Sequence, residues 1–275
     1  MEKIAAAPAV SGDTAVLAVS FGTSYRETRE ATIGAIETAL ENAFPQWEVR
    51  RAFTSQMIIN KLKQRDGIEV DNVKEALKRA AADGIRRLVV QPTHLMDGFE
   101  YNDVKQELEA YRDAFDDLVL GAPLLDSEKD IADIIAAITD ATAEYCDGQT
   151  AVAFMGHGSE AAANGIYSRL QAELRKAGFG NYYIGTVEAK PDLEDMLAAM
   201  EADASYQRVV LQPLMVVAGD HAANDMAGDE EDSWKSVLER RGYPVTCILK
   251  GLGELDAVRR MYAAHALAAM EQLRR

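Results

Sequence analysis

The chain has 275 residues, enough for two domains of about 100–150 residues each or for one large domain. Hydrophobic residues make up 48% of it and charged residues 27%, the composition of an ordinary soluble globular protein. The net charge of −16 argues against nucleic acid and anionic membrane surfaces as partners, because like charges repel.

The compartment is predicted from what the sequence lacks. No apolar run approaches the roughly 20 residues that a membrane-spanning helix needs. The amino-terminal segment MEKIAAAPAVSGDTAV has no apolar stretch of the signal-peptide type. Cys146 and Cys247 lie far apart and outside any CxxC pair, so a reducing cytoplasm is the simplest prediction. A periplasmic location stays open, since a removed signal peptide would leave no trace.

Strand-like and helix-like segments alternate along the first half of the chain. The predicted strands are short and apolar, and the predicted helices carry apolar residues on one face. Strands are predicted over 15–21, 47–53, 87–91 and 118–120. Helices are predicted over 26–41, 57–65, 73–82, 101–115 and 131–145. Thr23 or Ser24 can cap the first helix.

The same alternation then starts again. Strands are predicted over 151–155, 182–187, 208–212 and 245–249, and helices over 166–177, 193–201, 230–241 and 255–273. Strands that are each followed by a helix form parallel βαβ units with right-handed crossovers. We therefore predict an α/β protein with two doubly wound parallel-sheet domains, related by pseudo-twofold duplication and meeting at a cleft.

The predicted domain boundary follows from this alternation. The amino-terminal domain is expected over 1–126. The carboxy-terminal domain is expected over 127–275 and carries the candidate metal site. A linking helix over 127–146 and a terminal helix over 254–274 could cross between the two domains.

Two pairs of motifs support the duplication. The segment AVLAVSFGTS at 15–24 parallels AVAFMGHGSE at 151–160. The segment RRLVVQPTHLMDGFE at 86–100 parallels RVVLQPLMVVAGDH at 208–221, with Glu100 and His221 at the same offset from a Gln-Pro step. Proline has no N–H to donate and ends the strand ladder, so both turns deliver a polar side chain at the same place.

Three polar side chains follow predicted strands of the second half. They are His157 in MGHGS, Glu188 in GTVEAKP, and His221, which has Asp220, Asn224, Asp225 and Asp229 close by in sequence. Because parallel strands bring their carboxyl ends to one edge, we expect these three groups to converge. Two histidines and a carboxylate suit Zn²⁺, Fe²⁺, Co²⁺ or Ni²⁺ and leave open positions. The alternative is a solvated acidic loop with structural histidines.

The remaining histidines carry weaker signals. His94 lies near a strand end of the first half, where a structural role is favoured and contact with a ligand, a second metal or haem is the alternative. His265 lies in the middle of the terminal helix and is predicted to pack or to face solvent.

Other catalytic schemes fit the sequence poorly. The chain has no GxxxxGK[ST] motif, and GLGELD lacks the third glycine of a dinucleotide fingerprint, so no ATP or other nucleotide is expected. GHGSE is not a GxSxG nucleophile elbow, and a hydrolase based on His157 would lack a paired nucleophile.

The motifs also resemble those of a known family. SFGTS, FMGHGS, GTVE and PLMVVAGDHAANDMAGDEEDSW together resemble the anaerobic sirohydrochlorin cobaltochelatases of the CbiK type, which are class II chelatases. The resemblance runs from Ala15 to the last helix. It implies ATP-independent insertion of Co²⁺ into sirohydrochlorin in cobalamin synthesis, on a ferrochelatase-like fold with the macrocycle held between two domains. The implied partners are this tetrapyrrole and a divalent metal.

The resemblance also implies residue roles. The metal ligands of the family fall on His157, Glu188 and His221, and a further acidic position at the cleft falls on Glu100. The family pattern at that turn has an acidic residue where this chain has Phe99, so the match at Glu100 is incomplete.

The chemistry assigns roles to the same residues. Insertion must remove two pyrrolic protons, and an imidazole with a pKa of about 6.5 can accept a proton or hold a metal near neutral pH. We expect His157 to act as base and ligand, while His221 and Glu188 position Co²⁺. Contacts with the ring are expected from four residues near the first-half strand ends: Phe21, Thr23, Ser24 and Met96.

Some alternatives remain open at this point. The substrate carries many carboxylates that an acidic protein should repel, so either Arg26, Arg51 and Lys190 line the mouth or the carboxylates point into solvent. An iron or nickel chelatase acting on a related tetrapyrrole, and a non-catalytic metal or haem carrier, are the competing functions. A homo-oligomer is compatible with the sequence.

Overall fold

The computed structural model describes residues 12–203 and 206–273. Their strands form two four-stranded parallel sheets, one from each half of the chain. The first-half strands are β1 (Thr14–Ser20), β2 (Glu48–Phe53), β3 (Arg87–Pro92) and β4 (Asp117–Leu120). The second-half strands are β5 (Thr150–Gly156), β6 (Tyr182–Thr186), β7 (Arg208–Pro213) and β8 (Val245–Cys247). Every predicted strand is present.

Helices follow the strands and cover both faces of each sheet. In the first half they are α1 (Arg26–Arg29), α2 (Ala35–Ala43), α3 (Gln56–Asp66), α4 (Val73–Ala82) and α5 (Phe99–Tyr111). The linking helix is α6 (Glu128–Ala141). In the second half they are α7 (Gly165–Lys176), α8 (Leu193–Asp203), α9 (Trp234–Arg240) and α10 (Asp256–Gln272). Within the described ranges, every helix is too short or too polar to cross a lipid bilayer.

The two sheets share one topology. The strand order is β2-β1-β3-β4 in the first and β6-β5-β7-β8 in the second, and all pairs are parallel. The chain therefore winds outward in both directions from β1 and from β5, which confirms the predicted doubly wound fold. Such a reversal leaves a crevice at the carboxyl ends of the two central strands, where ligands bind in open α/β sheets.

The registers of the two halves also correspond. Val19 pairs with Pro92 in the first sheet, and Met155 pairs with Pro213 at the equivalent place in the second. The strand β3 ends at Pro92, and β7 ends at Pro213. The turns that follow β1 and β5 each need a glycine in the left-handed region, Gly22 at φ +101° and Gly158 at φ +87°.

Two helices depart from their predicted form for identifiable reasons. The helix predicted over 230–241 begins only at Trp234, because Ser233 caps it and the acidic run before it forms an exposed turn. The helix predicted over 26–41 contains a π-helical turn, Glu30–Gly34, between α1 and α2. Neither difference changes the topology.

Contacts across the halves are extensive. The terminal helix α10 packs against α2, β3 and β4 of the first half and against α6. One apolar cluster includes Val16 of the first sheet and Val152 of the second. The domain boundary between residues 126 and 127 stays a prediction.

A largely buried hydrogen bond joins the linking helix to the terminal helix. His265 Nε2 lies 3.0 Å from Asp130 Oδ1, and both side chains are largely buried. The Ser127 hydroxyl donates to Asp130 Oδ2 at 2.7 Å. Burial by itself raises the pKa of Asp130, but the hydrogen bonds from Ser127 and His265 outweigh burial and hold that pKa below its ordinary value.

We expect Asp130→Asn to lower the free energy of unfolding by about 1–3 kcal/mol at neutral pH, because it weakens buried hydrogen bonds to a charged group. A depressed carboxylate pKa stabilises the fold above the unfolded-state value of about 3.9, and this contribution is lost as pH falls. The difference in free energy of unfolding between wild type and variant should therefore shrink as the pH falls toward and below this unfolded-state pKa. Urea unfolding of both proteins at neutral and acidic pH measures this difference.

The matched control is Asp133→Asn on the same helix, where the carboxylate pairs with the exposed Lys129. Exposed pairs contribute at most about 1 kcal/mol, so this variant should stay near wild type. Equal destabilisation by the two substitutions would contradict the assignment.

Candidate metal centre

The three polar side chains that the sequence singled out lie together in the structure. His157 directly follows β5, Glu188 lies two residues beyond β6, and His221 lies in the segment after β7. Since β5 pairs with both β6 and β7, the three segments meet at one edge of the second sheet. One ligand atom from each residue lies within 4.8 Å of the others. The structure supplies this convergence, and the role of the three groups as ligands stays a prediction.

The backbone around His157 depends on glycine. A Cβ on Gly158 would lie 2.8 Å from both the Ala189 nitrogen and Thr186 Oγ1, and a Cβ on Gly156 would lie 2.3 Å from the Tyr167 ring. This close approach lets the Glu188 amide donate to the His157 carbonyl at 2.9 Å. The loops after β5 and β6 are thereby joined, which places the imidazole beside the carboxylate.

Each imidazole is anchored through Nδ1. His157 Nδ1 lies 2.9 Å from the Gly158 carbonyl oxygen, and His221 Nδ1 lies 2.7 Å from Asp225 Oδ2. Carbonyl and carboxylate oxygens only accept hydrogen bonds, so we assign the proton of each ring to Nδ1. The Nε2 lone pair of both histidines is then free for a metal or a proton.

Asp225 is a residue that the sequence analysis did not select. It orients His221 in the way that carboxylates orient metal-bound histidines in many sites. Asp225 was visible only as one of several acidic neighbours of His221. Its spacing of four residues from His221 was the available signal, and it became informative once the segment Ala222–Met226 proved to be helical.

The site is open to solvent. The side chains of His157 and Glu188 are about half exposed, at 48% and 55%, and that of His221 is 33% exposed. The two imidazole rings stand edge to face with centroids 4.7 Å apart. Three converging ligand atoms with this exposure leave coordination positions for water or for an incoming ligand.

Glu100 and His94 lie on the facing edge, from the first half. Burial, with the negative charges of Asp103 and Glu188 adding to it, raises the pKa of Glu100, and His157 partly offsets the rise. His94 is buried, and burial lowers its pKa to about 4. Its Nε2 lies 3.7 Å from Glu100 Oε2.

The residues expected to contact a ring fall into two groups. Phe21 is 47% exposed at the end of β1, whereas Thr23 and Ser24 are buried and Met96 is partly buried against the main core. Thr23 Oγ1 accepts from the Tyr25 amide, so its hydroxyl is used within the loop. Ring contacts by Phe21, Thr23, Ser24 and Met96 all stay a prediction.

Most of the exposed apolar side chains at this edge were not predicted from the sequence. Large exposed hydrophobic residues lie in the segments that follow the strands: Phe21, Tyr25, Met57, Phe99 and Leu249. The Tyr25 hydroxyl donates to Asp220 at 3.1 Å, which ties the first-half rim to the residue before His221. An apolar residue at the first position of a helix after a strand, such as Phe99, was the available signal.

The cations expected at the mouth are already paired. Arg26 contacts Glu30, Arg51 forms a bidentate pair with Glu37, and Lys190 contacts Asp192 and Asp195. Each of the three cations thus has a carboxylate partner, and their place at the mouth for an acidic ligand stays a prediction.

Together, the fold and the site define a class: a duplicated α/β protein with an open site of two histidines and one carboxylate at one edge of the second sheet. The family model described as cobalt chelatase (CbiK) matches residues 14–271. The chain therefore belongs to the cobalt chelatase (CbiK) family and is a metal chelatase.

Two relatives align over nearly their whole length. The chain is 40% identical over 256 residues to the sirohydrochlorin cobaltochelatase of Salmonella typhimurium, covering 93% of this chain and 96% of that protein. It is 32% identical over 260 residues to the sirohydrochlorin cobaltochelatase CbiKC of Nitratidesulfovibrio vulgaris, covering 94% and 91% respectively.

Solved structures show the same fold at low identity. SirB from Bacillus subtilis with Fe³⁺ superposes with a TM-score of 0.62 at 12% identity, covering 95% of this chain and 98% of that one. The siroheme-biosynthesis enzyme CbiX of denitrifying bacteria superposes at 0.54 with 18% identity, covering 93% and 99%. These two likenesses concern the fold alone.

We expect Asp225→Ala to weaken Co²⁺ binding about 10–100-fold, because His221 loses the carboxylate that orients its ring. Isothermal titration calorimetry with Co²⁺ measures the change. Asp229→Ala is the control, since it removes a nearby negative charge that is 97% exposed and pairs with Lys235. Equal losses in the two variants would show that charge alone, and not the orientation of His221, sets the affinity.

Proposed function

We propose that the protein inserts Co²⁺ into sirohydrochlorin and does so without ATP. The observation that carries this proposal is the open group of His157, Glu188 and His221 in a chain of the cobalt chelatase family. A carrier would need a closed four-ligand shell, whereas three exposed ligands suit a metal that must leave. Transfer from three exchangeable protein ligands to the chelating nitrogens of a macrocycle is downhill and requires no nucleotide.

Co²⁺ is a substrate in this proposal, held by His157 Nε2, His221 Nε2 and the Glu188 carboxylate. Because the Nδ1 atoms are anchored by Gly158 and Asp225, the rings keep their direction when the metal departs. The remaining positions on the ion face the first-half rim, where the macrocycle would supply its nitrogens. An N/N/O set does not choose strongly among Fe²⁺, Co²⁺ and Ni²⁺, so macrocycle and metal supply contribute to selectivity.

Two pyrrolic protons must be accepted during insertion. The Nε2 lone pair of His157 cannot hold a metal and a proton at once, so His157 takes one proton as it releases Co²⁺. The second proton goes to Glu100, whose side chain is 52% exposed at the rim and whose pKa partial burial raises above its ordinary value, which makes it a stronger base than a carboxylate in water. The charge balances, because two protons leave the ring as one dication enters it.

The exposed apolar side chains at the rim form a surface for a flat macrocycle. Phe21 and Phe99 are 47% and 62% exposed although both are large and hydrophobic. Exposed apolar side chains grouped beside a polar site are typical of a ligand-binding surface. Phe21 follows β1 and Phe99 begins α5, next to Glu100, so both lie on the edge that faces the metal ligands.

Purified protein mixed with sirohydrochlorin and Co²⁺ should change the visible spectrum of the macrocycle without added ATP. His157→Ala should reduce the rate about 10²–10⁴-fold, because it removes both a ligand and a proton acceptor. Circular dichroism should show an intact fold. A full rate in this variant would refute the assignment of His157, and faster insertion of Fe²⁺ or Ni²⁺ than of Co²⁺ would identify another metal as the substrate.

The carboxylates of the substrate either point into solvent or meet cations, which can include residues other than the paired ones at the mouth. A groove of about 530 Å³ on α3 is lined by Met57, Asn60, Lys61, Gln64 and Arg65. Lys61 forms no salt bridge within the described part of the chain, and Arg65 donates to the Ser24 carbonyl in the loop after β1. We propose that Lys61 contacts a carboxylate of the bound macrocycle.

We expect Lys61→Gln to raise KM for sirohydrochlorin about two- to fivefold at low salt and to leave kcat unchanged. A change in KM of this size corresponds to the loss of one exposed charge contact. Steady-state kinetics at low and high salt test this, because screening should remove the difference. Lys63→Gln on the same helix, where Lys63 pairs with Glu69, serves as the control and should not change KM. Identical KM values for the two variants would eliminate Lys61 as a contact.

The lone cysteines favour a reducing compartment, and we propose the cytoplasm. Cys146 is exposed and Cys247 is partly exposed, and both are free thiols.

A further inference from the structure

His94 is a buried side chain whose polar atoms have no partner. The residue is 8% exposed, and neither Nδ1 nor Nε2 makes a hydrogen bond within the described part of the chain. Buried polar groups in folded proteins are nearly always hydrogen-bonded, because leaving one unpaired costs stability. An exception that lies beside a reaction site therefore calls for a functional explanation.

The backbone holds this imidazole in place from both halves of the chain. The His94 carbonyl accepts from the Leu124 amide at 2.9 Å, and the Thr93 amide donates to the Val19 carbonyl at 2.7 Å. The Tyr262 hydroxyl, from α10, donates to the Thr93 carbonyl at 2.8 Å. The ring therefore occupies its position without any hydrogen bond of its own.

Glu100 is the acidic group that this ring faces. The distance from Nε2 to Oε2 is 3.7 Å, slightly too long for a hydrogen bond. Hydrogen bonds of reacting groups are often long in the free protein and shorten when substrate binds. Glu100 lies in the first turn of α5, where a small rotation of its side chain would close the gap.

The charge of the ring matters as much as its position. Burial lowers the pKa of His94 to about 4, so the imidazole is neutral at physiological pH. A neutral donor can orient a carboxylate, whereas a cation in the same place would strongly lower the proton affinity of that carboxylate. A buried neutral histidine thus suits a neighbour that must accept a proton.

We infer that His94 is a positioning residue, and that its Nε2–H donates to the Glu100 carboxylate in the substrate-bound protein and aims that carboxylate at a pyrrolic N–H. This inference rests on the proposed function. In it, Glu100 is the group that accepts the proton, while His94 remains neutral throughout and binds neither the metal nor the macrocycle.

The test compares His94→Leu with His94→Gln in the full-length protein. Leucine replaces an unpartnered polar ring with an apolar side chain, so the melting temperature should stay equal or rise. The kcat for cobalt insertion should fall about tenfold or more, because misplaced reacting groups slow catalysis by up to about 100-fold. KM for sirohydrochlorin and the affinity for Co²⁺ should stay within about twofold of wild type. Glutamine, whose amide can donate as Nε2 does, should restore kcat to within about threefold.

A second variant separates this role from a general effect on the site. In a Glu100→Gln background, adding His94→Leu should cause no further loss of kcat, since its effect passes through Glu100. A full additional loss there would overturn the inference, as would an unchanged kcat in His94→Leu alone. A lower melting temperature with no recovery by glutamine would indicate a structural histidine, and weaker Co²⁺ binding would indicate a metal ligand. If wild-type protein inserts no cobalt, the proposed function itself fails, and this result is distinct from all the others.

Discussion

The site depends on the parallel pairing of β5 with both β6 and β7. Parallel strands end at the same edge, and winding in both directions from β5 leaves a crevice there. His157, Glu188 and His221 are 31 and 33 residues apart along the chain, yet this pairing brings their ligand atoms within 4.8 Å. Gly156 and Gly158 make the arrangement possible, because a larger residue at either position would collide with Tyr167 or with the loop after β6.

The duplicated halves perform different parts of the proposed reaction. The strand registers place Phe21, Ser55 and Glu100 at the positions that correspond to His157, Glu188 and His221. The second half therefore presents the candidate metal ligands, and the first half presents an apolar ring, a hydroxyl and a carboxylate. In the proposed reaction the two sets lie on opposite sides of a flat substrate, where one would deliver the ion and the other would support the ring and accept a proton.

The three histidines near the site illustrate how environment separates similar chemistry. His157 and His221 are anchored through Nδ1 and their side chains are partly exposed, which suits reversible metal binding. His94 is buried, its ring makes no hydrogen bond to any described residue, and burial lowers its pKa to about 4, which suits a neutral hydrogen-bond donor. Residue type alone does not distinguish these roles. Burial and the identity of the nearest hydrogen-bond acceptor distinguish them.

The sequence by itself determined the alternation of strands and helices, the duplication and the three candidate ligands, because these depend on local hydrophobic patterns and on repeated turns with proline and glycine. It also determined the family, through motifs spread over the whole chain. Only the tertiary structure decided that Asp225 orients His221, that the His94 ring makes no hydrogen bond within residues 12–203 and 206–273, and that Arg26, Arg51 and Lys190 each pair with a carboxylate. The physical reason is that these properties depend on which side chains meet in space and on how much water reaches them, and neither is encoded in the spacing of residues along the chain.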